Sequence, residues 1–327
     1  MLQNRLPLVP TDILKAHKVH ESYDSRFKSA ARLLQALWRE ERGLPIGVHC
    51  SPKGKRRKLG SRLDTDSAKQ GHNFLTPEIA KLAFRESVYR EIGAVIEQER
   101  LWGNMLSSQP LCFNLFGSLK LDMEKANHFF RHLFPDYVAA IEGIYFEHSP
   151  GRGNSDFTDD KTAFDVFVVC TTLDGERGFI AFEVKYSEAM TEPLASMRPR
   201  YEELTSSVGL YHTPHAAALM GGPLQQLWRE HMLSRTMIEQ GLYASGRFVV
   251  IHPEQNYQCA GAIRGYQKQL ASNDPAVSGF QVVTLDECVE TLRVIGDQDM
   301  AKQLHARYLD FGRIERAIFG EEVSAER

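Results

Sequence analysis

Three chemically reactive side chains stand on two short apolar segments in the middle of the chain. Asp165 lies within the segment 163–170, Glu183 lies within the segment 178–184, and Lys185 follows directly. Both segments are rich in Val, Ile and Phe and are bounded by Thr, Asp and Gly, which is typical of buried β-strands. Two carboxylates inside apolar strands lose hydration and repel each other, so a compensating charge is required. Mg²⁺ is a natural compensator, because it prefers oxygen ligands and uses one or two protein carboxylates.

The turn between the two segments predicts their register. Leu173-Asp174-Gly175 fits a three-residue hairpin loop whose last residue is left-handed, a conformation that glycine adopts without strain. Counted from this turn, Asp165 lies directly opposite Glu183. Lys185 emerges on the same face, because side chains alternate along a strand. A two-residue loop would instead send the two carboxylates to opposite faces.

The lysine gives this face a second chemical function. An ammonium beside a metal site can orient an attacking water or remove its proton. The alternative is that Glu183 and Lys185 are edge-strand charges in contact with solvent, for which the flanking apolar residues leave little polar face. We therefore predict Asp165 and Glu183 as metal ligands, and these two residues together with Lys185 as catalytic.

The order Asp, hairpin, Glu-x-Lys resembles the PD-(D/E)XK nuclease superfamily, here as Asp165 followed by Glu183-Val184-Lys185. The segments LSSQPLCFNLFG (106–117) and PGRGNSDFTD (150–159) resemble a restriction-endonuclease-like branch of bacterial proteins within that superfamily. This similarity extends over about the middle half of the chain. One departure is Phe164, which stands where the nominal motif has Pro and leaves the metal argument intact.

The resemblance implies an α/β fold in which helices flank a mixed central sheet, with an N-terminal helical extension. It implies a Mg²⁺-dependent phosphodiesterase that cleaves DNA in restriction, phage defence or repair, with Mn²⁺ able to substitute. Endonucleolytic action is favoured over exonucleolytic action, and a homodimer is compatible with the resemblance. Two alternatives stay open, namely a structure-selective repair or junction nuclease and a nucleic-acid-binding module with an inert site. DNA and RNA substrates are not distinguished.

Composition constrains the class of protein. The 327 residues are 43% hydrophobic, which supplies a sizeable core, and the net charge of −3 means that affinity for nucleic acid must come from local patches. Five cysteines without Cys-x-x-Cys spacing argue against a disulfide framework and a zinc finger. No signal peptide or membrane-spanning stretch is evident. We expect a cytoplasmic protein without membrane contact.

A basic run is the main local exception to the mildly acidic charge. It lies in the stretch 43–71, which has few large apolar residues and predicts an exposed, mobile loop. The run consists of Lys53, Lys55, Arg56, Arg57 and Lys58, followed by Arg62. In a nuclease we expect Lys55, Arg56, Arg57 and Lys58 to contact phosphates. A run of solvated charges is the alternative.

Acidic residues upstream are candidates for an accessory role. The Thr76-Pro77-Glu78 signature predicts the start of a long helix to about Leu106. Because several nucleases of the superfamily place a glutamate on a helix beside the sheet, the resemblance suggests Glu97 or Glu99 as an accessory acid, with Glu91 as a third candidate. A solvated surface position is the alternative for each. Asp156, Asp159 and Asp160 could also assist the metal, although acidic loops are usually solvated.

The rest of the chain predicts the remaining sheet and its helices. A first strand is expected at 137–147, and the strands 247–252 and 280–285 flank a helix at 257–270, an alternation typical of parallel strands. The stretch 188–211 favours a helix broken by prolines. An amphipathic helix ends at Gly241, and Gln225, Gln226 and Arg229 stand near its start. The resemblance suggests that glutamines at this place approach the substrate or the lysine, and we expect Gln225 and Arg229 to contact nucleic acid. A plain surface position is the alternative for each of the three. We predict two domains, an N-terminal extension with the basic loop (1–75) and a nuclease-like domain (76–327).

Overall fold

A computed structural model describes residues 6–51, 53–191 and 193–320. Contacts among these residues form two compact units that alternate along the chain. The first is drawn from Met1–Arg85, Ile96–Gly117 and Leu292–Arg327, and the second from Glu86–Val95 and Ser118–Thr291. This grouping differs from the predicted division after residue 75, because residues on both sides of that position, together with the C-terminal residues, belong to the first unit.

Helices predominate before the central sheet. In chain order these elements are α1 (Thr11–Ala16), α2 (Arg26–Glu41), β1 (Ile46–Cys50), β2 (Arg56–Leu63), α3 (Thr65–Lys69), α4 (Pro77–Val88), α5 (Gln98–Gly103), α6 (Ser108–Leu121) and α7 (Met123–Leu133). Helix α2 begins after Ser25, whose hydroxyl accepts a hydrogen bond from the Lys28 N–H at 3.2 Å. This cap satisfies a backbone donor that has no partner within the helix.

The basic run forms part of a hairpin, so the prediction of a mobile loop is wrong. Strands β1 and β2 pair antiparallel, with Val48 opposite Lys58 and Cys50 opposite Arg56. Leu59 and Leu63 on β2 are buried, which gives the strand an inner face that the charged residues conceal in the sequence. Regular pairing satisfies the backbone groups that a loop would leave to water.

The predicted long helix from residue 76 to about 106 is also wrong. Helix α4 begins at Pro77, as its start signature predicts, but it ends at Val88, and α5 begins only at Gln98. Gly93 between them has a φ of 86°. This left-handed conformation is incompatible with a continuous right-handed helix, and glycine adopts it readily.

The remaining elements build the sheet and its covering helices. They are β3 (Val138–His148), β4 (Phe164–Thr172), β5 (Arg177–Val184), α8 (Pro199–Ser207), α9 (Ala217–Met220), α10 (Gln225–Glu239), β6 (Ser245–His252), α11 (Tyr257–Gln267), α12 (Pro275–Ser278), β7 (Phe280–Thr284), α13 (Leu285–Val294), α14 (Gln298–Leu304), a π-helical turn at His305–Leu309, and α15 (Gly312–Phe319). Within the described ranges, no helix combines the length and apolar character that crossing a membrane requires.

One mixed five-stranded sheet dominates the second unit. The strand order is β3-β4-β5-β6-β7. The first three strands are antiparallel neighbours, and β5, β6 and β7 are parallel. The predicted α/β class, the mixed sheet and the parallel arrangement of the last strands are therefore confirmed. The predicted helix at 188–211 is reduced to α8, which begins at Pro199, a residue favoured in a first helical turn.

The β4–β5 hairpin has the predicted register. Gly175 has a φ of 80° in the turn, and Val166 pairs with Phe182 near the open end. Asp165 and Glu183 are the next residues along the two strands, so they face each other. The register prediction is confirmed.

Helix α10 lies against this sheet and closes its core. Leu227, Trp228 and Leu233 on the helix belong to the same buried cluster as Phe164 and Phe248 on the strands. Helix α10 is buried around most of its circumference. Gln226 and Glu230 are polar yet lie beside these apolar residues, and the amide of Gln226 contacts Glu183, Lys185 and Glu230.

Candidate active site

Asp165, Glu183 and Lys185 come together at the open end of the hairpin. The Val184 N–H donates a hydrogen bond to Asp165 Oδ2 at 2.8 Å, which draws the Asp165 side chain across to β5. Lys185 Nζ lies 2.7 Å from Glu183 Oε1. The backbone N–H of Lys185 donates to the Ile251 carbonyl at 2.8 Å, so β6 holds the lysine in line with the strand.

The charges are not solvent-facing groups on an edge strand. Strand β5 lies between β4 and β6, and Glu183 and Lys185 are only 4% and 5% exposed. Asp165 is partly exposed. The site therefore has a buried ion pair beside a partly exposed residue, Asp165, and the alternative of solvated edge charges is wrong.

Helix α10 contributes two polar side chains to this pair. Gln226 Oε1 accepts a hydrogen bond from Lys185 Nζ at 2.7 Å. Gln226 Nε2 donates to Glu183 Oε1 at 2.7 Å and to Glu230 Oε1 at 2.8 Å. Glu230 is buried, and its second oxygen, Oε2, has no hydrogen-bond partner. The amide of Gln226 thus joins three charged groups.

Burial and mutual repulsion perturb the acids of this cluster. Burial raises the pKa of Asp165 well above its usual range, and the charges of Glu183 and Glu147 raise it further. Burial likewise raises the pKa of Glu230, with a further contribution from Glu183. Both carboxyl groups are therefore harder to ionise than carboxyls in water, since a charged form is disfavoured by desolvation and by like charges.

Lys185 shows the opposite balance. Burial alone would lower the pKa of its ammonium, but the nearby carboxylates of Glu183, Glu188 and Glu230 outweigh burial and raise the pKa above its usual value. Lys185 is therefore cationic at neutral pH in the absence of a competing cation. Its Nζ acts as a hydrogen-bond donor.

The residues of the site fit a divalent cation. Acids outnumber the one cation, Lys185, in this cluster, and burial and mutual repulsion hold the pKa values of Asp165 and Glu230 high. A bound cation would favour the ionised form of these acids. The unpartnered Glu230 Oε2 is consistent with such an excess of acceptors. The described residues contain no group of three or more His, Cys, Asp or Glu side chains arranged as ligands. Two facing carboxylates suffice for Mg²⁺, because water and substrate oxygens complete its shell.

Asp160, which the sequence analysis offers as a possible assistant to the metal, is held by hydrogen bonds within the protein. Both of its carboxylate oxygens accept hydrogen bonds from neighbouring groups, namely the hydroxyls of Thr158, Thr162 and Tyr201, the Thr162 N–H and Arg229 Nη1. Burial would raise the pKa of Asp160, but the hydrogen bonds outweigh burial and lower it. Asp156 is exposed, and Asp159 pairs with Arg198 at 3.4 Å.

The two residues of α10 predicted to contact nucleic acid have internal partners. Gln225 is 3% exposed, and its amide accepts from the Ala195 N–H at 2.7 Å and donates to the Ala195 carbonyl at 2.9 Å. Contact of Gln225 with nucleic acid stays a prediction. Arg229 pairs with Asp160 at 2.9 Å, but it also lines a pocket with Met190, Pro193, Leu194, Gly222, Pro223, Gln225 and Gln226.

Each of the accessory acids suggested by the resemblance lies near a partner of its own. Glu97 and Glu99 are exposed residues of the first unit, where Glu97 lies 3.9 Å from Arg100 and Glu99 pairs with Arg62. Glu91 belongs to the second unit and binds the side chain of His148 and the Ser149 N–H.

Sequence reasoning missed Glu230 and Glu147 as neighbours of the site. The sequence position of Glu230 indicates that it is buried. It stands three residues after Leu227 and three before Leu233, and therefore lies between apolar residues on its helix. A charged residue at such a position requires a partner. Glu147 left no such signal, since it reaches Asp165 only through the pairing of β3 with β4.

The basic hairpin retains exposed positive charge in the first unit. Lys53, Lys55, Arg56 and Lys58 are exposed, whereas Arg57 pairs with Glu21 and Arg62 with Glu99. We refer to Lys55, Arg56 and Lys58 as the hairpin cations. Their contact with phosphate stays a prediction.

Comparison with known proteins gives the family. The model of the PD-(D/E)XK nuclease superfamily matches residues 22–310, which is most of the chain. The chain belongs to this superfamily, and the predicted resemblance is confirmed. The superfamily is one of nucleases, so phosphodiester hydrolysis is the chemistry to which membership points. No curated protein and no solved structure gives a match.

Proposed function

We propose that this protein is a Mg²⁺-dependent endonuclease that hydrolyses DNA phosphodiester bonds in restriction, phage defence or repair. Membership of the PD-(D/E)XK superfamily supports hydrolysis. The observation that carries the proposal is the meeting of Asp165, Glu183 and Lys185 on one face of the hairpin, with the lysine 2.7 Å from the glutamate. A complete acid–acid–lysine set argues against an inert nucleic-acid-binding module, because function depends on the site more than on the fold.

Asp165 and Glu183 are the residues that would hold Mg²⁺. The register of the hairpin places the two residues opposite each other, and Asp165 is partly exposed. When bound, Mg²⁺ supplies positive charge that offsets the negative charge building up on the scissile phosphate. Mn²⁺ should substitute, because it also suits carboxylate and water ligands.

Lys185 is the residue that would position the attacking water. Its ammonium is held by Glu183 and Gln226, so its direction is set before substrate arrives. The raised pKa of Lys185 keeps a proton on Nζ at neutral pH. This favours donation of a hydrogen bond to the water over removal of the water's proton.

Positive charge for the DNA backbone would come from the hairpin cations, which are exposed on β2 or directly before it. Phosphate contacts of this kind bind without reading sequence, because each releases counterions from the duplex. Arg57 is a weaker candidate, since Glu21 already neutralises it.

A cleavage assay on linear, supercoiled circular and branched DNA and on RNA tests the proposal. Wild type should nick or linearise the circle in Mg²⁺ and be inactive in EDTA. The matched control is Asp165→Asn, which keeps an oxygen that can accept from the Val184 N–H but removes the charge. Cleavage of branched DNA alone would replace the proposal by a structure-selective nuclease. Binding without cleavage of any substrate would favour the inert module.

A further inference from the structure

The amide of Gln226 has only one favourable orientation in this site. Its NH₂ group donates to carboxylate oxygens of Glu183 and Glu230, and its carbonyl oxygen accepts from Lys185. In the reversed orientation the oxygen would face two carboxylates and the NH₂ group would face an ammonium. All three contacts would then be repulsive. Gln226 is therefore a directional link between α10 and the ion pair.

The burial of Glu230 has a free-energy cost that its contacts only partly offset. The residue is 3% exposed, and Oε2 is buried without a hydrogen-bond partner. A buried, unpartnered carboxylate oxygen carries an uncompensated desolvation penalty, and such a group calls for a functional explanation. Glu230 stands four residues after Gln226, so one turn of α10 brings its other oxygen against the amide. The contact with Gln226 is the clearest use of its side chain.

We propose that Glu230 is a positioning residue of the site, which holds Lys185 beside Glu183 by fixing Gln226, and whose charge strengthens the binding of a divalent cation. The inference rests on the proposed function and adds a residue outside the Asp, Glu-x-Lys pattern. Glu230 does not need to touch the substrate, because its effect passes along the chain of contacts from Glu230 through Gln226 to Lys185.

Two conservative variants separate the effect of the length of the Glu230 side chain from the effect of its charge. Glu230→Gln keeps the length of the side chain and removes the charge. Glu230→Asp keeps the charge, but its shorter side chain withdraws the oxygen from the 2.8 Å contact with Gln226. Glu239→Gln is the matched control, because Glu239 is an exposed acid near the end of the same helix.

We expect the two variants to fail in different assays. Calorimetric titration with Mn²⁺ should show about tenfold weaker binding for Glu230→Gln, as is usual for residues that support metal ligands, and near wild-type binding for Glu230→Asp. The kcat for DNA cleavage should fall about tenfold or more in Glu230→Asp with little change in KM. A second Gln226→Ala substitution should add little to the defect of Glu230→Asp, because both changes break the same link.

Thermal unfolding tests whether Glu230 has only a structural role. Glu230→Gln should melt at the wild-type temperature or higher, because it replaces a buried acid by a neutral amide whose oxygen can still accept from Gln226. Wild-type kcat in Glu230→Asp would overturn the link through Gln226, and wild-type Mn²⁺ affinity in Glu230→Gln would overturn the role of the charge. If wild type cleaves no substrate, the proposed nuclease function fails, and a selective Mn²⁺ defect in Glu230→Gln still supports this inference. Absence of Mn²⁺ binding by wild type would overturn both.

Discussion

Replacing Lys185 by methionine should reveal how far its ammonium and a divalent cation compete for the same carboxylates. Lys185 Nζ lies 2.7 Å from oxygens of both Glu183 and Gln226. Removing one partner of a buried ion pair leaves the other charge uncompensated, at a typical cost of about 3–5 kcal/mol. Methionine retains most of the apolar stem. We therefore expect the free energy of unfolding of Lys185→Met to fall by about 3 kcal/mol in EDTA.

Mg²⁺ should recover part of this decrease if Lys185→Met binds the cation more tightly than wild type does. The variant lacks a positive charge that opposes cation binding, so its affinity for Mg²⁺ should hold or rise. A ligand that binds only the folded state stabilises it by an amount that grows with the ratio of concentration to Kd. If affinity rises tenfold, the stability gap between variant and wild type narrows by about 1.4 kcal/mol in excess Mg²⁺.

Urea unfolding followed by circular dichroism measures this gap, and calorimetry measures the affinity. Cleavage should fall about 100-fold, the scale expected when a positioned proton donor is removed. Lys161→Met is the control, because Lys161 is an exposed lysine of the same unit. Wild-type stability in EDTA, or a gap that does not narrow in Mg²⁺ while cleavage is normal, would refute the role assigned to Lys185.

Asp165, the hairpin cations and His231 give the remaining predictions. Asp165→Ala should abolish cleavage and weaken Mg²⁺ binding by calorimetry; normal cleavage would remove Asp165 from the site. Neutralising the hairpin cations should lower the slope of log affinity for DNA against log salt by about 0.9 for each phosphate that the protein no longer binds, and an unchanged slope would make them bystanders. Burial lowers the pKa of His231 to about 4, whereas an unfolded chain titrates near 6.5. Between these values only the unfolded state is protonated, so stability should fall by about 3 kcal/mol as pH drops through that window. His231→Gln should lose that part of the pH dependence, and an unchanged urea-unfolding profile against pH would contradict it.

The sequence by itself determined the hairpin and the three residues of its motif. The period of two along each strand and the left-handed glycine at 175 are local properties, because they depend on backbone preferences within a few residues. Together they place Asp165 opposite Glu183, as the structure has them. The alternation of strands and helices likewise predicts the parallel half of the sheet.

Only the tertiary structure decided which polar residues surround that motif. Gln226 stands 41 residues after Lys185 in the chain, yet their side chains touch, because α10 packs its apolar face on the sheet and carries Gln226 and Glu230 with it. Tertiary packing also decides the partner of Gln225. This residue directly precedes Gln226, yet its amide contacts Ala195 and not the ion pair. The basic run resembles a loop in sequence because its charges hide the inner face that β1 and β2 share. Burial and pairing depend on segments far apart in sequence, and no local pattern specifies them.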